Sequence, residues 1–199
     1  PRQVAAATLN MPLFMFMTAL SNLFGVGGSS LISRFLGANE HKKASHCCAF
    51  CIWTTAVSAF LYGIFMLLFS PVLMPVLGAN EETLPLASSY LFWTIGIGAV
   101  PTVLNPALAH LIRAEGYSKQ ASFGVAFGGV LNILLDPLFI YGLRLQITGA
   151  AIATLISNTI AMLYFLHFIW KIRATSVLTL SPRMYRITDH IPSEVLSIG

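Results

Sequence analysis

The spacing of charged residues constrains this chain more than any other feature. Between Arg2 and Arg34 there is no Asp, Glu, Lys or Arg, and the same holds from Ala44 to Asn80, from Thr83 to Ile112 and from Leu145 to Trp170. From Gln120 to Gly142 the only ionisable carboxylate is Asp136. A membrane-spanning helix needs about 20 mostly apolar residues, and each window supplies them. The spacing predicts an all-α membrane protein of about five transmembrane helices, with spans near 7–35, 45–76, 83–112, 119–142 and 148–171. Composition agrees: the chain is 56% hydrophobic and 9% charged, with a mean hydropathy of +0.78, against about 25% charge in soluble domains.

A long apolar run in lipid satisfies its backbone only as a helix or a closed barrel. Barrel strands alternate every second residue, whereas the run Phe60-Leu61-Tyr62-Gly63-Ile64-Phe65-Met66-Leu67-Leu68-Phe69 is apolar all round. Helices are therefore expected. The basic residues then set orientation. Arg34, Lys42 and Lys43 follow the first span, Arg113 and Lys119 the third, and Lys171, Arg173, Arg183 and Arg186 the fifth. Nine of the eleven Lys and Arg thus fall on one side, which the positive-inside rule makes cytoplasmic. That is the pattern of a multi-pass protein of the cell inner (cytoplasmic) membrane. Scattered over three loops without an aromatic platform, these charges do not form a nucleic-acid patch, so no nucleic-acid partner is expected.

The chain starts at Pro1 without a signal-peptide pattern, and Ile191-Pro192-Ser193-Glu194 reads as a helix start with little chain left to extend it. These ends predict a piece of a longer membrane protein: transmembrane helices over 1–179, then a cytoplasmic connection and the start of a next, truncated helix over 180–199. The first two spans close on the same letters, Leu36-Gly37-Ala38-Asn39-Glu40 and Leu77-Gly78-Ala79-Asn80-Glu81. In each, the glycine is expected to end one helix and the Asn to cap the next.

Several motifs point to packing. Gly25, Gly27 and Gly28 lack the strand and the lysine of a phosphate loop, and suit close helix approach. Cys47, Cys48 and Cys51 lie beside His46 but lack a full set of zinc ligands, so they read as small hydrophobes and no metal site is expected. His110 and His167 have no nucleophile or carboxylate partner at useful spacing. With no nucleophile, base and orienting group in sight, catalysis is unsupported, no catalytic residue is assigned, and the chain is not expected to be an enzyme.

The segment that carries chemistry is the fourth span. Gly124, Gly128, Asn132 and Asp136 recur every fourth residue and share one helix face. The glycines flatten that face for a neighbouring helix, and beyond them a carboxamide and a carboxylate stand one turn apart. Pro137 removes a donor from the carbonyl four residues earlier, so a kink is expected around Asn132 and Ile133. Freed carbonyls beside a carboxylate and an amide suit a small hard cation. An intramembrane Asp costs about 2.5–3.5 kcal/mol on insertion scales, and such residues mark ion paths, proton relays or buried pairs. Low dielectric disfavours the charged form and a bound cation favours it, which is the physical basis of a switch. The plain alternative is that Asp136 hydrogen-bonds a neighbouring helix or lies near the outer interface. Thr154 and Asn158 share a face of the fifth span, and Pro101, Asn105 and Pro106 are expected to break the third. Broken helices mark transporter binding sites. On the first span Met11, Phe14, Met15, Phe16, Met17 and Phe24 are soft and apolar. Lipid-facing or core packing is their default, and Met15 and Phe16, with Asn158, are candidate walls of a cavity for greasy cations.

Four blocks resemble the multidrug and toxic compound extrusion (MATE) family of efflux transporters. They are Gly25-Val26-Gly27-Gly28-Ser29-Ser30-Leu31-Ile32-Ser33-Arg34-Phe35-Leu36-Gly37-Ala38, the loop Arg113-Ala114-Glu115-Gly116-Tyr117-Ser118-Lys119, the stretch from Asn132 to Ile140, and Gly149-Ala150-Ala151-Ile152-Ala153-Thr154. The resemblance implies a twelve-helix transporter of two six-helix lobes, this chain being helices two to six of the first. It implies proton- or sodium-coupled antiport of drugs and organic cations, with membrane lipid and a C-terminal lobe as partners and no cofactor beyond the coupling ion. Asp136, Asn132 and Thr154 match the family's coupling-ion positions, and Asn105 matches a further polar residue of that pocket. A partner acid on helix one would fall before Pro1. A lipid-linked oligosaccharide flippase of the same wider superfamily is the nearest alternative, although its cavity would carry basic side chains. A non-transport scaffold or receptor would not require Asp136.

Overall fold

A computed structural model describes residues 2–185 and 190–199, with side chains from Ala5 onward. Arg186, counted above among the orienting basic residues, lies outside the described residues. The chain is helical with no strand among the described residues: α1 (Arg2–Leu9), α2 (Met11–Gly37), α3 (His41–Val76), α4 (Leu84–Leu91), α5 (Ala99–Ala114), α6 (Ser118–Pro137), α7 (Gln146–Ile172) and α8 (Ile191–Ile198). Wide π turns extend α4 over Phe92–Ile97 and α6 over Leu138–Gly142. Among the described residues four helices are long and apolar enough to cross a membrane, and α4 with α5, bent by 51°, makes a fifth if the pair is taken as one span.

The bend in that fifth span falls at Gly98, ahead of the expected break at Pro101, Asn105 and Pro106. Pro101 sits in the first turn of α5, where backbone donors lack intrahelical partners and a missing N–H costs nothing. At Gly98 a side chain would collide with the Thr94 carbonyl and stand 2.8 Å from that of Trp93. Only glycine fits there. Pro137 acts in a similar way. Instead of kinking at Asn132 and Ile133, α6 stays α-helical as far as Pro137, and the distortion is carried by the π turns that follow.

The two connections with identical letters turn differently. After α2 the left-handed residue is Asn39 (φ 61°), with Glu40 N–H donating to the Phe35 carbonyl at 2.8 Å. After α3 it is Gly78 (φ 99°), with Ala79 N–H donating to the Met74 carbonyl at 2.9 Å. Both are Schellman closures, and Gly37 itself is ordinary helix. Neither Asn caps the next helix: Asn80 accepts the Thr83 N–H at 2.9 Å and closes a turn ahead of α4, whose N-cap is Thr83, and the Asn39 carboxamide oxygen meets the His41 ring at 2.8 Å.

Small residues set the packing. A Cβ on Gly25 would stand 3.0 Å from the Ala107 Cα, and one on Gly63 the same distance from the carbonyls of Ile95 and Gly96. These contacts draw α2 onto α5, and α3 onto the π turn after α4. On α6 the buried residues are Ala121, Gly124 and Gly128, so this helix rests on α7 along a narrow seam. Its outer face carries Phe123, Phe127, Val130, Ile133 and Leu134, all exposed.

The core has two apolar clusters. One holds Phe24, Leu31, Leu108, Ile112, Phe165 and Leu178 and lies toward the end that carries Arg34, Arg113 and Lys171. The other, toward the opposite end, holds Met17, Tyr62, Met66, Leu91, Ile95 and Ile147. Between them on α5 and α7 comes a band of polar side chains.

Candidate functional site

The polar band is built where α6, α7 and α5 face one another. At 1.5 Å per residue, Thr154 stands about 12 Å along α7 from Gln146, well inside the span. The glycine seam brings α6 close enough for Asn132 to reach it: a Cβ on Gly128 would meet the Ala161 Cβ at 3.0 Å. One turn beyond Gly128, the Asn132 carboxamide donates to Thr154 Oγ1 at 3.4 Å and to Asp136 Oδ1 at 3.4 Å. Asn132, Asp136 and Thr154 therefore face one point between two helices. Both contacts lie at the long end of hydrogen bonding, so the groups converge without being locked together. All three are half-buried, and among the described residues no Lys or Arg pairs with Asp136.

A second polar node lies one turn further along α7. Asn105 Nδ2 donates to Asn158 Oδ1 at 3.2 Å, and Asn158 Nδ2 donates to Thr102 Oγ1 at 3.2 Å. Asn105 thus bonds Asn158 rather than the carboxylate, and its own Oδ1 is buried without a partner among the described residues. The sequence reading missed Thr102. The signal was present, since Thr102 lies three residues before Asn105 on the same face of α5.

Met15 and Phe16 stand apart from both nodes. Met15 is 70% exposed and Phe16 is 55% exposed, and the Phe16 ring stacks on Tyr62 with centroids 4.9 Å apart. The cysteines are packing residues. Cys47, Cys48 and Cys51 are buried free thiols, with Cys47 Sγ 3.9 Å from the Gly28 carbonyl. No group of three metal-ligating side chains occurs among the described residues.

Chemically, the first node offers a carboxylate, a hydroxyl and a carboxamide that can turn its oxygen inward. Oxygen ligands of this kind suit a proton or a hard monovalent cation.

A family model described as MatE matches residues 1–138. Multidrug export protein MepA of Staphylococcus aureus (strain NCTC 8325 / PS 47) is 33% identical over 196 residues, covering 98% of this chain and 43% of that protein. Two solved structures are described as the inward-facing and the outward-facing conformation of a multidrug resistance MATE family transporter of the MOP superfamily. Each matches 100% of this chain at a TM-score of 0.92 and 30% identity, over 45% and 44% of the respective solved chains. The chain therefore spans less than half the length of the relatives it matches.

Proposed function

The chain belongs to the MatE family of multi-pass membrane transporters, and from that premise we propose that it forms helices two to six of the N-terminal lobe of an ion-coupled multidrug antiporter. The transporter exports drugs or organic cations across the cytoplasmic membrane against an inward flow of protons or sodium ions. A C-terminal lobe of the same protein completes it. Members of the family are transporters, not enzymes, in keeping with a site that holds ions rather than reacting groups.

The observation that carries the coupling role is the convergence of the Asp136 carboxylate, the Asn132 carboxamide and the Thr154 hydroxyl between α6 and α7. With no basic side chain paired to it among the described residues, the carboxylate gains most from a proton or a cation when it is shut away from water. When water reaches it, the ion can leave. That difference in ion affinity between two exposures couples ion movement to a change of state. Asn105 and Asn158 form a neutral node beside the ion, suited to an amphipathic guest, while Met15 and Phe16, set apart from that node, are soft apolar wall residues for a greasy cation elsewhere in the cavity.

The test is Asp136→Asn in a full-length protein carrying this chain. The substitution keeps the shape and removes the charge. Ion-driven ethidium efflux should be abolished in cells that make the variant at normal levels, and unchanged efflux would remove Asp136 from the mechanism.

A further inference from the structure

The loop Arg113-Ala114-Glu115-Gly116 stands out in the sequence, yet the ion site leaves it unexplained. In the structure it holds the polypeptide that follows α7. Ser176 Oγ and the Val177 N–H both donate to the Glu115 carboxylate, the second at 2.9 Å, and Leu178 N–H donates to Ser176 Oγ at 2.9 Å. Two successive residues outside any helix thus gain polar partners from one acid, and the next is held by the serine that the acid fixes. They need them, because Val177 and Leu178 are buried in the apolar cluster, where an unpartnered N–H is costly. Ser33 Oγ in turn donates to the Ala114 carbonyl at 3.3 Å, tying the loop itself to α2.

Beyond Leu178 the segment runs along one face of α3. Trp53 Nε1 donates to the Leu180 carbonyl at 3.3 Å, and His46 Nδ1 meets the Met184 carbonyl at 2.9 Å. Tyr185 stacks on Phe50 with ring centroids 5.9 Å apart. His46, Phe50 and Trp53 share a face of α3 by their spacing. The match at the same TM-score to an inward-facing and an outward-facing structure spans the whole chain, this segment included.

We propose that Glu115 pins residues 176–185 to this bundle as a strap that travels with it. The proposal rests on the two-state transporter reading for its meaning in the cycle. The pin itself stands on the contacts of Glu115. Glu115 supplies acceptors that no helix turn can supply to an extended segment, and the Val177 and Leu178 side chains then lock into the core.

Hydrogen exchange on the full-length protein in lipid nanodiscs tests both halves. In Glu115→Ala, the peptide spanning 176–181 should exchange at least about tenfold faster, with α5, α6 and α7 unchanged and Glu115→Gln intermediate. Strap protection that survives Glu115→Ala, or loosening spread evenly over the bundle, would overturn the pin. In the unaltered protein, strap protection should be the same with ethidium at low pH as with sodium at high pH. Loss of protection in either condition would overturn the claim that the strap travels with the bundle. Neither readout uses efflux, so failure of the coupling role at Asp136 would be seen separately.

Discussion

Asn132 on α6 and Thr154 on α7 are joined amide to hydroxyl at 3.4 Å, with the same amide 3.4 Å from Asp136. If all three hold one ion, their contributions cannot be independent. Asn132→Ala and Thr154→Ala should each raise the ion concentration for half-maximal efflux by up to about tenfold, the worth of one such polar contact. The double variant should lose less than the product of the two, because groups sharing a partner are not additive. Strict additivity would mean that the amide and the hydroxyl serve different ends.

The seam that brings Asn132 to Thr154 depends on Gly124. A Cβ there would collide with the Phe165 ring and stand 2.8 Å from that of Tyr164, and Phe165 is 0% exposed, with no room to retreat. Gly129 meets nothing within 4 Å. Gly124→Ala should therefore destabilise by about 1–3 kcal/mol, while Gly129→Ala should gain up to about 1 kcal/mol from helix propensity. Melting in detergent, followed by loss of the monodisperse species, separates the two. Equal shifts would sink the seam.

The charge-free windows revealed the helices, because lipid forbids an unpaired backbone and excludes charge. Asp136 was legible for the same reason: one acid in an apolar span has few structural uses. The positions of the bends were not legible. Pro101, Pro106 and Pro137 mark sites of weak hydrogen bonding, but the bend falls where Gly98 lets the chain close on the Thr94 and Trp93 carbonyls of its own span. Gly98 marks the real bend only once the π turn ahead of it is known. The partition of the amides was hidden for a related reason. Asn105 and Asn132 look alike in sequence, and only the heights at which α5 and α6 meet α7 send one to Asn158 and the other to Thr154. The Glu115 contacts bridge residues 61 and 62 positions apart, beyond the reach of any periodicity.

Cys47, Cys48 and Cys51 test the packing reading of the cysteine cluster. All three are 0% exposed: a Cβ on Gly28 would stand 2.5 Å from Cys51 Sγ, so Cys47 and Cys51 are wedged against α2, while Cys48 Sγ lies 3.9 Å from the Thr179 carbonyl. A maleimide should leave them unlabelled in the folded protein and react with all three after denaturation. Zinc should change neither the labelling nor the melting temperature. Labelling under native conditions, or stabilisation by zinc, would show an open site in place of a packed one.

The repeated letters after α2 and α3 give the last prediction, because the same residue type does different work in each copy. Gly78 has φ 99° and Gly37 is helical, while Asn39 has taken the left-handed position at φ 61°. A side chain in that region costs roughly 1–2 kcal/mol, and Asn tolerates it better than Ala does. Gly78→Ala should therefore destabilise by about that amount and Gly37→Ala by nothing measurable. Asn39→Ala should resemble Gly78→Ala, whereas Asn39→Gly should be neutral. Thermal melting of the four variants side by side checks the assignment. If Gly37→Ala proved as harmful as Gly78→Ala, the two turns would share one geometry, and the left-handed residue after α2 would be the glycine after all.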